Sequence, residues 1–228
     1  MKKKYKILFI TVISIIIVLF IISFAGVVTV SKAMGAANDP GVKPGQTFFF
    51  SKYLQPDRFD FICFTRTDTA SGVKVMTQFR LCGLPGDELK MEKGKLFVNG
   101  KDTKDDFEVK HSYLIEKKAF LPIKEKLELT EKEFSVQGTD SIKVSLTYAE
   151  AEQFGKMADL INTTNRKIPD GLFKENTGGH WTVDDFGPLT VPPEFYFVLG
   201  DNRHLAVDSR YLGFVDKAQL AGTVFWKN

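Results

Sequence analysis

The residues best equipped for chemistry fall in three short segments. The densest reads Gly200-Asp201-Asn202-Arg203-His204-Leu205-Ala206-Val207-Asp208-Ser209-Arg210-Tyr211-Leu212-Gly213-Phe214-Val215. The second is Arg80-Leu81-Cys82-Gly83-Leu84-Pro85-Gly86-Asp87, and the third is Pro40-Gly41-Val42-Lys43-Pro44-Gly45. Each also has a purely structural reading. Gly-Asp-Asn-Arg and Leu-Pro-Gly-Asp are turn formers, and Asp208 with Arg210 reads as an ion pair. His204 is a titratable group able to act as a base near neutral pH, but it reads first as a solvated loop histidine. Three histidines are too few to argue a metal cluster, and neither a metal-ligand spacing nor a phosphate loop occurs. The sequence therefore predicts no metal and no cofactor.

These segments need a scaffold, and the flanking pattern predicts a β-rich one. Phe48-Phe49-Phe50, residues 59–64 and residues 73–81 are β-prone runs broken by Pro56, Asp68 and Gly72. Asn99-Gly100 favours a tight hairpin turn. Thr147-Tyr148-Ala149-Glu150 is a capping-box pattern, which predicts a helix reaching about Leu160. Strand character returns from Leu189 through residues 195–199 and 222–226. The stretch between is richer in Lys, Glu and Asp. The expected organisation is one β core, residues 36–101 and 186–228, with residues 102–185 inserted as an α+β lobe. No internal repeat or low-complexity tract is present.

Residues 7–30 form an uncharged apolar run, interrupted only by Thr11, Ser14, Ser23 and Thr29. At ~1.5 Å per residue it makes roughly 36 Å of helix, enough to cross a lipid bilayer with some tilt. Lys2, Lys3, Lys4 and Lys6 precede it, so residues 1–6 are expected in the cytoplasm and the C-terminal part outside. Small residues follow at Ala33-Met34-Gly35-Ala36-Ala37, as at a signal-peptide cleavage site. The run nevertheless exceeds the roughly 7–15 residues of a secretory apolar segment, which favours an anchor. The 31 Lys and Arg outnumber the 28 Asp and Glu only through those four lysines. The remainder is slightly acidic, so no nucleic-acid partner is expected. Cys63 and Cys82 are too few for a disulfide framework; one bridge or two buried thiols are both open.

The three segments resemble the motifs of bacterial type I signal peptidases. The densest is similar to GDNRxxSxDSRxxGxV, with nine of its ten fixed positions matched. Residues 80–87 are similar to KRxxGLPGD, and residues 40–45 to the proline-to-glycine span of SMxPTLxxGD. Their order after an N-terminal anchor is also the family's. The resemblance implies a signal-peptidase-like β core and a single-pass protein of the bacterial cytoplasmic membrane. It implies secretory precursor signal peptides, or an active signal peptidase, as partners. It assigns Pro40, Arg80, Gly83, Pro85, Gly86, Asp87, Gly200, Asp201, Asn202, Arg203, Asp208, Ser209 and Arg210 to the scaffold of the site.

The same resemblance implies that the chemistry is missing. The family cleaves an amide with a serine hydroxyl, activated by a lysine whose pKa burial lowers. Carried onto this chain, the nucleophile position is Ala37, the base position is Phe79 and the lysine-orienting serine position is Ala206. A hydroxyl that aids the oxyanion hole in some members maps to Gly35. Alanine carries no nucleophilic atom and phenylalanine accepts no proton. Without the lysine a buried serine partner would be left unpaired, so Ala206 fits the loss. The expectation is a non-catalytic homologue. The alternative is an active endopeptidase with a rebuilt site using His204 or Thr77. Lys74, Ser31, Lys32, Ser51 and Lys52 lie at the wrong spacing or face.

Overall fold

The computed structural model describes residues 2–24, 27–68, 71–103, 106–129, 133–154, 158–160, 166–173 and 180–227. The side chains of Lys2, Leu19, 21–24 and 158–160 lie outside that description. So do Ala25 and Gly26 of the expected span, residues 155–157 of the expected helix and several short stretches of the expected lobe. The fold is mainly β, with few helices.

Helix α1 covers Lys2–Phe24. The apolar run does not continue as helix to residue 30. Thr29 and Val30 instead open strand β1 (Thr29–Lys32), which pairs antiparallel with β2 (Thr47–Ser51). Their branched side chains suit the pleat better than a helix. Among the described residues no helix is long and apolar enough to cross a membrane.

Seven strands form the main sheet. In chain order they are β1, β2, β3 (Phe61–Thr67), β4 (Lys74–Gly83), β13 (Phe195–Leu199), β14 (Val215–Asp216) and β15 (Leu220–Lys227). Their spatial order is β1-β2-β15-β3-β4-β13-β14. Alternation sets the faces. Phe48 and Phe50 of β2 are buried with Val42, Phe61 and Cys63, while Phe49 packs on the other side against Trp226, edge to face at 4.9 Å. A second sheet, ordered β12-β5-β6-β7, uses β5 (Glu88–Glu92), β6 (Lys95–Val98), β7 (Lys101–Asp102) and β12 (Phe186–Thr190). Asn99 and Gly100 turn between β6 and β7 at φ of 52° and 77°, the left-handed pair that their types favour.

A third sheet, ordered β11-β8-β10-β9, has its own apolar cluster around Ile115, Ile123, Val144 and Leu146. It contains β8 (Lys110–Glu116), β9 (Phe134–Gln137), β10 (Ser141–Thr147) and β11 (Ala158–Leu160), with α2 (Lys117–Lys126) packed alongside. The Thr147–Glu150 capping box forms, but helix α3 is only Tyr148–Glu152. The helix expected to reach Leu160 stops early, and residues 158–160 pair with β8. Gly155, a poor helix former, sits between the two. Ile168, Phe173 and Val183 pack with the second sheet's residues and not with the third sheet's cluster.

Candidate functional site

Ala37 lies on the loop between β1 and β2, Phe79 on β4, and Ala206 on the loop that follows β13. The structure brings all three together at Gly200. A Cβ on Gly200 would collide with Ala206, lie 2.5 Å from the Ala37 carbonyl oxygen and lie 3.2 Å from the Phe79 ring. Phe79 and Ala206 are buried in one apolar cluster with Ile62, Phe64, Leu81 and Val198, and Ala37 packs against it. No hydroxyl or amine belongs to any of the three side chains.

The loop after β13 is held from within. Asp208 caps the short helix α4 (Ser209–Leu212) by accepting from the Arg210 N–H, and also accepts from the Gly200 N–H at 3.0 Å. Arg210 is fully buried and paired with Asp208 at 2.8 Å, while it donates to the carbonyls of Arg203 (2.6 Å) and Val183 (3.3 Å). Ser209 Oγ accepts from the Val198 N–H at 2.9 Å. Asn202 donates its N–H to the Ala37 carbonyl at 3.0 Å, which ties this loop to the other. Arg203 is buried and donates to the Gly94 carbonyl at 3.3 Å.

Arg80 adjoins Phe79 but points its guanidinium elsewhere. It forms a two-pronged pair with Asp201, at 2.7 and 2.5 Å, donates to the Phe59 carbonyl and lies over the rings of Phe61 and Phe107. Gly41, just after Pro40, leaves the room this pair needs. Gly83, Pro85, Gly86 and Asp87 make the corner from β4 to β5. Asp87 accepts from Leu84 N–H, Arg58 and Asn99. Burial pushes its carboxyl up, but these donors outweigh burial and hold it below the usual range. Neither Asp87 nor its partners line the cleft beside Ala37.

That cleft has a volume of about 220 Å³, and its walls include Ser31, Lys32, Gly35, Ala37, Asn38, Thr77, Gln78 and Phe79. Gly35 has open space where a side chain would stand. Ser31 and Lys32 supply a hydroxyl and an amine, but neighbours on a strand alternate faces. Thr77 Oγ1 accepts from Arg66 Nε at 3.1 Å. His204 is not the solvated loop residue that its sequence setting implies. It is 6% exposed, its Nδ1 accepts from the Ser112 N–H at 2.9 Å, and its Nε2 faces Asp184 Oδ2 at 3.2 Å. Those bonds assign the proton to Nε2 and occupy both ring nitrogens. Burial holds Asp184 up, and its partners His204 and Arg210 outweigh burial to bring it below the usual range. Cys63 and Cys82 are buried free thiols, each pushed up to about 12 by burial.

One contact had no sequence signal. Lys110, at the start of β8, reaches Asp39 at 2.6 Å, two residues from Ala37. Burial disfavours its charge, but the Asp39 bond outweighs burial and raises its pKa.

Comparison with known proteins bears on the family to which the chain belongs. The family described as signal peptidase, peptidase S26 matches residues 4–227. Signal peptidase I of Bacillus amyloliquefaciens is 30% identical over 145 residues, 63% of this chain and 46% of that protein. Signal peptidase I of Streptococcus pneumoniae (strain ATCC BAA-255 / R6) is 25% identical over 198 residues, 86% of this chain and 80% of that one. Against the Bacillus relatives the chain spans about half their length, 45% to 47%. A crystal structure of a signal peptidase I from Enterococcus faecalis V583 covers 75% of this chain and 98% of its own, at 24% identity and a TM-score of 0.35. By this match along nearly its whole length, the chain belongs to the signal peptidase family, peptidase S26.

Proposed function

We propose that this chain is a non-catalytic member of the family, anchored in the bacterial cytoplasmic membrane, that holds an extended segment of a secretory precursor and leaves cleavage to an active signal peptidase as its partner. One observation carries the reading: Ala37, Phe79 and Ala206 meet at Gly200 and together offer no nucleophile and no base. The cleft beside them is walled by Thr77, Gln78 and Phe79 of β4. That strand pairs with β3 from Lys74 to Arg80 but with β13 only from Arg80 onward. The edge left open at residues 74–79 among the described strands is of the kind that binds extended peptides by strand addition. Neither group of the rebuilt-site alternative is poised, since His204 has both nitrogens engaged and Thr77 binds Arg66. The test is incubation of the purified full chain with a precursor peptide, beside an active family member. Retention of the peptide without cleavage above background is expected. Cleavage that survives Thr77→Ala and disappears in His204→Ala would overturn the reading.

The anchor rests on the lysine-first order of α1 and on its outward apolar side chains, such as Ile7 and Phe9, 58% and 66% exposed. Protease added to the outer face of intact cytoplasmic membranes should digest residues 40–228. Protection of that region would refute the orientation.

A further inference from the structure

The third sheet keeps its apolar core to itself. Its cluster draws only on residues 113–154. Among the described residues, the clusters of the main and second sheets take in nothing from β8, β9, β10 or α2. What joins the third sheet to the rest is polar. Lys110 meets Asp39, its N–H donates to the Asp201 carbonyl, and its carbonyl accepts from the Arg203 N–H. Ser112 N–H donates to His204 Nδ1 at 2.9 Å. His111 lies between them on β8. It is 1% exposed and packs on Gly94, where an added Cβ would lie 2.9 Å from its ring.

This joint is poorly satisfied. On the third sheet's side, His111 Nε2, Ser112 Oγ and Tyr148 Oη are buried without a hydrogen-bond partner among the described residues. On the core's side the same holds for Asn202 Oδ1, Arg203 Nε and Asp184 Oδ1. Opening an apolar interface exposes hydrocarbon, but opening a polar one lets water complete such atoms. The groups facing His111 also disfavour a positive charge there. Arg203 and His204 approach from the loop after β13, Arg210 from α4 and Asp184 from the segment before β12, while Tyr148 of α3 packs on the ring. Lys110 adjoins it on β8. Asp184 is the one anion of this set, and it is engaged by His204 and stands 3.7 Å from Arg210. Burial first, and then Arg203, hold the His111 pKa down to about 3.

We propose that this joint is an acid-operated latch: proton uptake by His111 swings the third sheet away from the core, while each side keeps its own apolar cluster folded. In the open form water reaches the ring, and its pKa returns toward the ordinary 6.5. The open form therefore binds one proton more than the closed form between pH 6.5 and 3, and opening gains as pH falls through that range. Lys110 leaves with the sheet. Its departure releases Asp39, two residues from Ala37, and Asn202 and Arg203, which follow Gly200. Acid thus loosens both loops that meet at Gly200. The latch acts whether or not the cleft holds a peptide.

The experiment is amide hydrogen exchange of the full chain in detergent micelles, read by NMR at single residues from about pH 7.5 to 4.5. Protection is taken relative to the unfolded chain at each pH, which removes the intrinsic pH dependence of exchange. Lys110, Ser112 and Arg203 report on the joint, because their N–H bonds cross it. At about pH 7.5 they should be about a hundredfold or more less protected than amides inside β10 and inside β3 and β4, since opening leaves both clusters folded. Below about pH 6.5 their protection should fall about tenfold per unit, the slope of one proton. His111→Gln takes up no proton and should hold it level. The contrast between joint and inner amides needs no altered protein, so a misfolded variant cannot decide the matter. Joint amides as well protected as the inner ones would mean that the sheets part only when the chain unfolds, and would overturn the latch. Joint protection that ignores pH, or that still falls tenfold per unit in His111→Gln, would take the proton away from His111 and overturn it equally.

Discussion

Lys110 Nζ lies 2.6 Å from Asp39 Oδ2, both side chains 8% exposed, and this pair joins the third sheet to the loop that carries Ala37. Glu133 stands 3.5 Å from the same ammonium. The backbone reinforces the link, since Lys110 N–H donates to the Asp201 carbonyl and Arg203 N–H to the Lys110 carbonyl. The third sheet is thus fastened to both loops that meet at Gly200.

Removing one partner of a buried pair strands the other charge. Lys110→Met should therefore destabilise the folded chain by about 3–5 kcal/mol. Adding Asp39→Asn should recover part of that loss, because the stranded carboxylate is gone. Urea unfolding of the single and double variants reads both numbers.

Gly200 has no room for a side chain. Gly200→Ala should cost about 1–3 kcal/mol through overpacking against Ala206 and the Ala37 carbonyl. A thermal melt unchanged from the parent would mean that the three positions do not close on Gly200.

His111 is buried against Tyr148 and beside His204, with ring centroids 4.8 and 5.4 Å away. Burial, helped by the charge of Arg203, lowers its pKa from 6.5 to about 3. The folded state thus binds fewer protons than the unfolded state between those values. Its contribution is complete above pH 6.5 and is lost as pH falls toward 3, at about 1.4 kcal/mol per unit. Stability measured from pH 7.5 to 4.5 should fall with that slope below 6.5, and His111→Gln should flatten it.

Restoring the missing groups tests the residue assignments. Ala37→Ser alone should leave precursor cleavage at background, because the Phe79 ring stands where an amine is needed. Phe79→Lys alone lacks a nucleophile. Only Ala37→Ser, Phe79→Lys and Ala206→Ser together should raise turnover above background, since residues acting as a unit are strongly non-additive. Equal turnover from the single Ala37→Ser change would show that Phe79 does not occupy the base position.

Much of this was readable in the chain. The aromatic runs around Phe50, Phe61 and Phe197 specify strands because their alternation must bury one face. The Asn99-Gly100 turn and the Thr147–Glu150 cap are local, and each forms where its residues stand. Local signals also misled. The apolar run to residue 30 looked uniformly helical, yet pairing with β2 claims Thr29 and Val30. The helix opened by Thr147 ends at Glu152 because a strand partner, β8, competes for the residues beyond.

By itself the sequence determined the β character of the chain, its family motifs, and the absence of serine and lysine at Ala37, Phe79 and Ala206. Those are properties of residue type and short spacing. Tertiary structure alone decided that His204 is buried with both nitrogens bonded, that Lys110 crosses to Asp39, and that Asn38 and Gln78 share one cleft wall. The physical reason is the same in each case. Burial and hydrogen-bond partnership depend on which distant segments the sheets bring together, and the partners here stand 20 to 92 positions apart in the chain.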